Sequence, residues 1–419
     1  MQLISKQSQI LIEKIIKSNH KLVLYVTGCG AKALHEFTQY PGSSSFAQEA
    51  KCVYGMGSTI LENNLQEPEK YVSQQLANNL AINALKQSHK ITYTEQQIIN
   101  KKTEVQQWEQ SIGLGLTGSI KSAQPKKGKH QCYITAIKTN KIVSIHLDLE
   151  KDTRTRDEED ELISFKVWQL VSYLSDPTFD FQQIVESNIK QNDKLTVLQN
   201  EDLTPQYFLN QLGNLQNLTF FAPQIFALSL NHYKSIMLSG SFNPLHEAHL
   251  QMLEKAAKTL NLPKQQQYLE MAIKNADKGE IDYSEVKKRI DQVFQTDNNL
   301  QLIVSCKSLF IEKTQFLHDS HMILGIDTLK RLVDKKYYGN CDEQKLITLS
   351  EFVRKGIKFF TFPRFNEEKQ QVEKMEHYIQ TIPKFIHELT EEFQDFRNDI
   401  SSTAIRQKQK EQIQQQPDK

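Results

Sequence analysis

From Gly240 to His249 the chain reads Gly-Ser-Phe-Asn-Pro-Leu-His-Glu-Ala-His, a stretch whose residue types and spacing suit the binding of a polyphosphate. It follows Ser235-Ile236-Met237-Leu238, an apolar run with the character of a buried strand, so Gly240 marks a tight turn. His246 and His249 stand three apart at the start of a helix predicted over 248–260 and share one of its faces. A helix amino terminus presents unpaired N–H groups and the positive end of a dipole, and imidazoles there add donors to the same anion. An arbitrary HxxH pair is more often an ordinary helix start; the strand, Gly240 and Pro244 ahead of it reverse that balance. A second stretch, Asp399-Ile400-Ser401-Ser402-Thr403-Ala404-Ile405-Arg406, has the same character. Ser401, Ser402 and Thr403 are capping residue types, and Arg406, one helical turn on, carries a planar fork that matches phosphate oxygens.

These residues need a scaffold, and the composition supplies one. With 419 residues, 38% hydrophobic and 24% charged, including 21 Phe and 14 Tyr, the chain has the apolar mass for two folded domains. A net charge of +1 gives no global field for nucleic acid or an anionic membrane, so any anion site must be local. Five scattered cysteines without a CxxC pair point away from a disulfide framework and from a zinc site. No apolar run approaches a membrane span, and the amino terminus mixes lysines and a glutamate into its apolar positions. The expected setting is therefore cytosolic, with a nuclear one open.

Along the chain, a helix over 4–18, a strand at 22–26 and a glycine turn at Thr27-Gly28-Cys29-Gly30 open an α/β domain. A helix over 69–87, strands at 112–116, 133–137 and 142–147, and a helix over 161–174 continue it. The mixed-sign run 151–160 reads as a solvated loop. Residues 178–233 lack sustained periodicity and read as a connector between a first domain, 1–177, and a second, 234–410; 411–419 is a polar tail. Strands at 235–238, 300–304, 322–326 and 358–362, separated by helical or loop stretches, predict a Rossmann-like parallel sheet for the second domain.

The Gly240–His249 and Asp399–Arg406 stretches resemble the G-x-F-x-P-x-H-x-x-H and I-S-S-T-x-I-R elements of the nucleotidylyltransferase superfamily. Ala248 departs from the glycine found there in many members. Leu269-Glu270-Met271 with Asn275-Ala276-Asp277-Lys278, and Gly325-Ile326-Asp327-Thr328, resemble elements of the nicotinamide and nicotinate mononucleotide adenylyltransferases. The resemblance implies transfer of AMP from ATP to such a mononucleotide, with release of pyrophosphate and no covalent enzyme intermediate. It would assign His246, His249 and Arg406 to catalysis, and Gly240, Ser241, Phe242, Asp327, Ser401, Ser402 and Thr403 to the nucleotide. Asn275 and Lys278 would bind the acceptor, and Mg²⁺ would be carried mainly by the ATP phosphates, without protein metal ligands. Asp327 would take ribose or a backbone group, or cap the next helix. The tryptophans end at Trp168, so no indole platform for a nicotinamide ring is present. Another acceptor or base remains an alternative, as in cytidylyltransferases or pantetheine-phosphate adenylyltransferases; so does a non-catalytic nucleotide-binding scaffold.

The first domain resembles the carboxy-terminal domain of the competence-damage protein CinA, through Thr27–Gly30, Tyr40-Pro41-Gly42-Ser43-Ser44-Ser45-Phe46 and Gly115-Leu116-Thr117-Gly118. Members of that family deamidate nicotinamide mononucleotide. Here Leu24 and Tyr25 stand at the family's glutamate and serine, and Tyr54 is kept while Thr59 stands where lysine is expected. With no activated nucleophile, a structural, homo-oligomerising or mononucleotide-binding role is expected in place of deamidation. Ser43–Ser45 reads as a plain turn in preference to a phosphate loop. ATP and a mononucleotide acceptor are the expected partners, and neither nucleic acid nor membrane is.

Overall fold

The computed structural model describes residues 2–98, 108–275, 279–366, 369–398, 400, 402, 404–407 and 411. The chain divides into two compact units, Met1–Phe208 and Leu209–Lys419. Both are α/β.

In the first unit α1 (Gln2–Lys17), β1 (Lys21–Thr27), α2 (Ala31–Gln39), β2 (Ala47–Cys52), α3 (Met56–Glu62) and α4 (Gln74–Ile98) precede β3 (Ser111–Ser119), β4 (His130–Lys138) and β5 (Lys141–Leu149). Helix α5 (Arg156–Ser175) and β6 (Lys194–Asp202) complete it. The six strands run in the order β2-β1-β3-β4-β5-β6, with β1 parallel to both neighbours and the remaining pairs antiparallel. Strand β1 is buried on both faces, which is why it reads as a continuous apolar run. Leu22, Leu24 and Val26 pack among the residues of α1, α2 and α5, while Val23 and Tyr25 pack with Leu76, Leu80 and Ala84 of α4. Gly113 and Gly115 set the distance to α4: a Cβ on either would lie 2.2 Å from a carbonyl oxygen, of Ala81 and Ala77 respectively.

The second unit contains β7 (Asn217–Ala222), β8 (Ile225–Leu228), β9 (Ile236–Ser239), α6 (Glu247–Thr259), β10 (Gln267–Ala272), α7 (Tyr283–Thr296) and β11 (Leu302–Ser305). It continues with α8 (Phe310–Lys313), β12 (His321–Gly325), α9 (Ile326–Leu332), β13 (Phe359–Phe362) and β14 (Thr390–Glu392). Its sheet has the order β14-β13-β12-β9-β10-β11-β7-β8. All pairs from β14 to β11 are parallel; β7 and β8 add an antiparallel edge. The chain leaves β9 toward β10 on one side and later returns to β12 on the other, so the carboxyl end of β9 is a switch point, where ligands of such sheets bind.

Two sequence expectations change. The segment 178–233 is divided between the units: Lys194–Asp202 extends the first sheet beside β5, and Asn217–Ala222 extends the second beside β11. Strand β6 is half-buried or exposed along its length, so no apolar alternation announced it. The run 151–160 is not all loop. Helix α5 starts at Arg156 with a capping box between Thr155 and Glu158, and its acidic first turn suits the helix dipole.

The segment before β6 is fastened by Arg154, which donates to both carboxylate oxygens of the buried Asp193 at 2.9 and 2.6 Å. Asp193→Ala is expected to destabilise the first unit by about 3–5 kcal/mol, because it strands a buried guanidinium; urea melts measure this. In the second unit His232 is fully buried, and burial, then the proximity of His318, lowers its pKa to about 3. The unfolded imidazole titrates near 6.5, so the stability that this neutral histidine contributes is present above about pH 6.5 and lost as the pH falls toward 3. Thermal melts between pH 7 and pH 4 are expected to show a falling transition in the second unit, with a shallower slope in His232→Gln.

Candidate functional site

At the end of β9 the Gly240 N–H donates to the Glu270 carbonyl of β10 at 2.9 Å. A Cβ at Gly240 would meet the Phe242 ring at 2.6 Å, so only glycine lets that ring fold back over the turn. Phe242 takes the left-handed region (φ 43°), is buried, and meets the His249 ring edge-on at 5.3 Å. Two elements hold the loop. On α7, capped by Asp282, Glu285 accepts from the Asn243 amide at 3.0 Å and from Arg289 Nε at 2.8 Å, and Arg289 donates to the Ser241 carbonyl at 3.2 Å. From the carboxy-terminal stretch, Ser402 Oγ donates to the Pro244 carbonyl at 3.1 Å, and the Arg406 guanidinium donates to the Asn243 carbonyl. The helix α6 then begins with the rings of His246 and His249 stacked at 3.7 Å.

In that stack His249 Nδ1 accepts the main-chain N–H of His246 at 3.3 Å. A neutral imidazole that accepts at Nδ1 carries its proton on Nε2, which makes His249 an uncharged donor. His246 Nδ1 is buried and has no hydrogen-bond partner among the described residues, an arrangement that costs free energy unless a ligand fills it. Asp327 lies in the first turn of α9, whose N-cap is Gly325, so it does not cap that helix. It pairs instead with Arg364, which follows β13, at 3.1 Å. The sequence-derived residues Ser401, Thr403 and Lys278 lie outside the described residues, and Asn275 is described only as main chain, in a short ribbon with Gly279. Among the described residues no cluster of three or more His, Cys, Asp or Glu side chains could hold a metal ion.

The first unit has a cavity of about 330 Å³ at the carboxyl ends of β1 and β2, lined by Cys29, Lys32, Cys52, Tyr54, Arg156 and Asp160 among others. Gly28 and Gly30 both take positive φ (82° and 84°) in the turn that leads into α2. The N–H groups of Gly30, Ala31 and Lys32 at the start of α2 all donate to the Asp160 carboxylate, at 2.5, 3.2 and 2.9 Å. The place where a helix terminus could take an anion thus holds the chain's own. Leu24 is buried. Tyr25 donates its hydroxyl to Glu49 at 3.0 Å and accepts from Lys51 at 3.2 Å; burial, then the charges of Glu62 and Glu49, push its phenol pKa well up. Thr59 donates to the Val53 carbonyl at 2.7 Å, while Tyr54 is exposed. Ser43 and Ser45 donate to the carbonyls of Tyr40 and Ile16, so both hydroxyls are engaged within the fold, one inside the turn and one on α1.

Residues 237–408 match the family model described as cytidylyltransferase-like. That match lies within the second unit and takes in the Gly240 loop, both histidines and the Ser402 and Arg406 positions. Among solved structures, the amino-terminal part of the chain is similar to the competence/damage inducible protein CihA from Agrobacterium tumefaciens, with 13% identity and a TM-score of 0.32 over 41% of this chain and 94% of that one. A competence or damage-inducible protein from Enterobacter asburiae gives 12% and 0.30 over 41% and 98%. A CinA superfamily protein from Escherichia coli gives 11% and 0.31 over 41% and 90%. No curated protein matches the sequence. Among the described residues, no helix is long and apolar enough to cross a membrane.

Arg364, which carries no signal in the sequence, adds to the effect of burial on the two histidines of the second unit. Burial and then the nearby Arg364 cation lower the His246 pKa; burial, then His246, then Arg364 lower that of His249 to about 3. Both imidazoles are therefore neutral at pH 7. Arg364 is legible only in the tertiary structure: β13 lies next to β12, and β12 next to β9, so the residues after these three strands meet at one sheet edge. Its sequence neighbourhood, Pro363-Arg364-Phe365, carries no phosphate-binding pattern. In Arg364→Gln both histidines are expected to titrate at higher pH than in the parent, with the His246 shift the easier to follow by NMR; unchanged titration would show that the cation does not reach them.

Proposed function

We propose that the second unit transfers AMP from ATP to nicotinamide or nicotinate mononucleotide. Supporting the nucleotidyl-transfer chemistry is one observation above all: Ser402 and Arg406 bond to the Asn243–Pro244 carbonyls, across 158 residues or more, immediately ahead of the two histidines. The family match supports nucleotidyl transfer in general. The mononucleotide acceptor rests on the resemblance of Leu269–Met271, Asn275–Lys278 and Gly325–Thr328, and is the finer part of the proposal.

In the proposed reaction an acceptor phosphate oxygen attacks the α-phosphorus of ATP in line. The new O–P bond forms as the bond from the α-phosphorus to the bridging oxygen breaks, and that electron pair leaves with pyrophosphate. Such a reaction depends on positioning and on stabilising charge at the phosphate oxygens. His249, as an Nε2–H donor, and His246 would hold oxygens of the triphosphate. Neutral imidazoles do this without the desolvation cost of two buried cations. Gly240, Ser241 and Phe242 give the nucleotide close access to the loop, and Asp327 takes the ribose; Ser401 and Thr403 contact the nucleotide, while the β- and γ-phosphates fall to the main-chain N–H of Ser402, whose hydroxyl is given to Pro244, and to the N–H groups of Arg406 other than the one given to Asn243. Asn275 and Lys278 receive the acceptor. Mg²⁺ bound to the phosphates would neutralise part of their charge. For the first unit we propose a non-deamidating role, supported by the committed hydroxyls of Tyr25 and Thr59 and by the carboxylate that fills the α2 terminus.

The test offers the protein ATP or CTP with a panel of acceptor phosphates and measures pyrophosphate. Release with ATP and a pyridine mononucleotide is expected, and His249→Ala is expected to lower it by about 10²-fold or more at unchanged circular dichroism. Release only with CTP or another acceptor would move the substrate assignment, and none with any pair would leave a nucleotide-binding scaffold.

A further inference from the structure

Beneath the Gly240 loop lies an ion pair that the proposed reaction does not use. Lys313 at the end of α8 donates to Glu270 Oε2 at 2.6 Å, and both side chains are buried, 5% and 0% exposed. The other carboxylate oxygen accepts from Ser305 Oγ at 2.8 Å, and that hydroxyl accepts the Lys307 N–H at 3.2 Å. The ammonium also donates to Ser239 Oγ at 3.3 Å and lies 4.7 Å from the centre of the Phe310 ring. One network thus ties the last residues of β9 and β11, Ser239 and Ser305, to Glu270 of the strand between them.

A buried pair is a poor stabiliser, because desolvating two charges offsets their attraction and an apolar pair of similar volume does as well. It does fix geometry, since every partner is directional. Here the geometry it fixes is that of the site: Ser239 immediately precedes Gly240, and the Glu270 carbonyl is the acceptor of the Gly240 N–H. We infer that Glu270 and Lys313 are positioning residues, holding the turn at Gly240 so that the loop and the histidines after it keep one arrangement. This deepens the nucleotidyl-transfer reading and depends on that reading for its activity arm only.

Lys313→Met alone would leave a buried carboxylate unpaired, so the decisive protein is the neutral double variant Glu270→Gln/Lys313→Met, with Ser239→Ala as the milder partner. Amide hydrogen exchange at Gly240 is measured in the full chain without substrate, alongside the thermal midpoint. The expected result is a midpoint close to the parent's, with Gly240 exchange faster by about tenfold or more in the double variant and by a smaller factor in Ser239→Ala. With whichever triphosphate and acceptor the parent turns over, kcat of the double variant is expected to fall by about tenfold or more, without recovering as stability does. Unchanged Gly240 exchange in both variants overturns the inference, as does full kcat in the double variant. If the double variant does not fold, Ser239→Ala decides. A parent that releases no pyrophosphate with any pair counts against the transfer reading, while the exchange result still decides this one.

Discussion

Hydrogen bonds onto the carbonyls of Ser241, Asn243 and Pro244 are the interactions on which the candidate site depends. A loop that leaves a strand and turns at once into a helix has main-chain groups with no partner in either element. In this domain Arg289, Arg406 and Ser402 provide those partners from two elements far apart in sequence. The consequence reaches beyond the loop. With its carbonyls engaged, the loop sets where α6 begins, and that start places the His246 and His249 rings against each other, with Phe242 edge-on to His249.

The electrostatic character of the site follows from the same packing. Burial and a nearby guanidinium keep both imidazoles neutral, so the two histidines offer uncharged groups to a ligand instead of a pair of cations. A chain with a net charge of +1 can still build an anion site in this way, because helix termini and neutral donors do not enter the charge count. The first unit shows the opposite use of a helix terminus. Three N–H groups at the start of α2 converge on Asp160, which leaves them satisfied within the chain. Ser43 and Ser45 of the following turn are likewise engaged by carbonyls.

Much of the parallel sheet was legible as short apolar runs. Strands such as Leu302–Ser305 and Phe359–Phe362 are buried along their whole length, and such burial selects a mainly apolar run, broken here only by the small hydroxyls of Ser305 and Thr361. Strand β6 escaped the same reading because it lies half-exposed at an edge, where neither pattern is imposed. The start of α5 escaped because acidic residues in a first helical turn look, in one dimension, like a solvated loop. Asp160 follows that turn directly, and its partners lie 128 to 130 residues away.

Residue order alone announces the chemistry on offer: a glycine turn after a buried strand, two histidines on one helix face, and a hydroxyl-rich helix start with an arginine one turn on. Residue type and local period decide those features, and neither depends on distant partners. The neutrality of the histidines, the proximity of Arg364 and the buried pair next to Gly240 come from the fold. Each of these rests on desolvation and on distances between strands that are neighbours in the sheet but remote in the chain, and no local pattern encodes either.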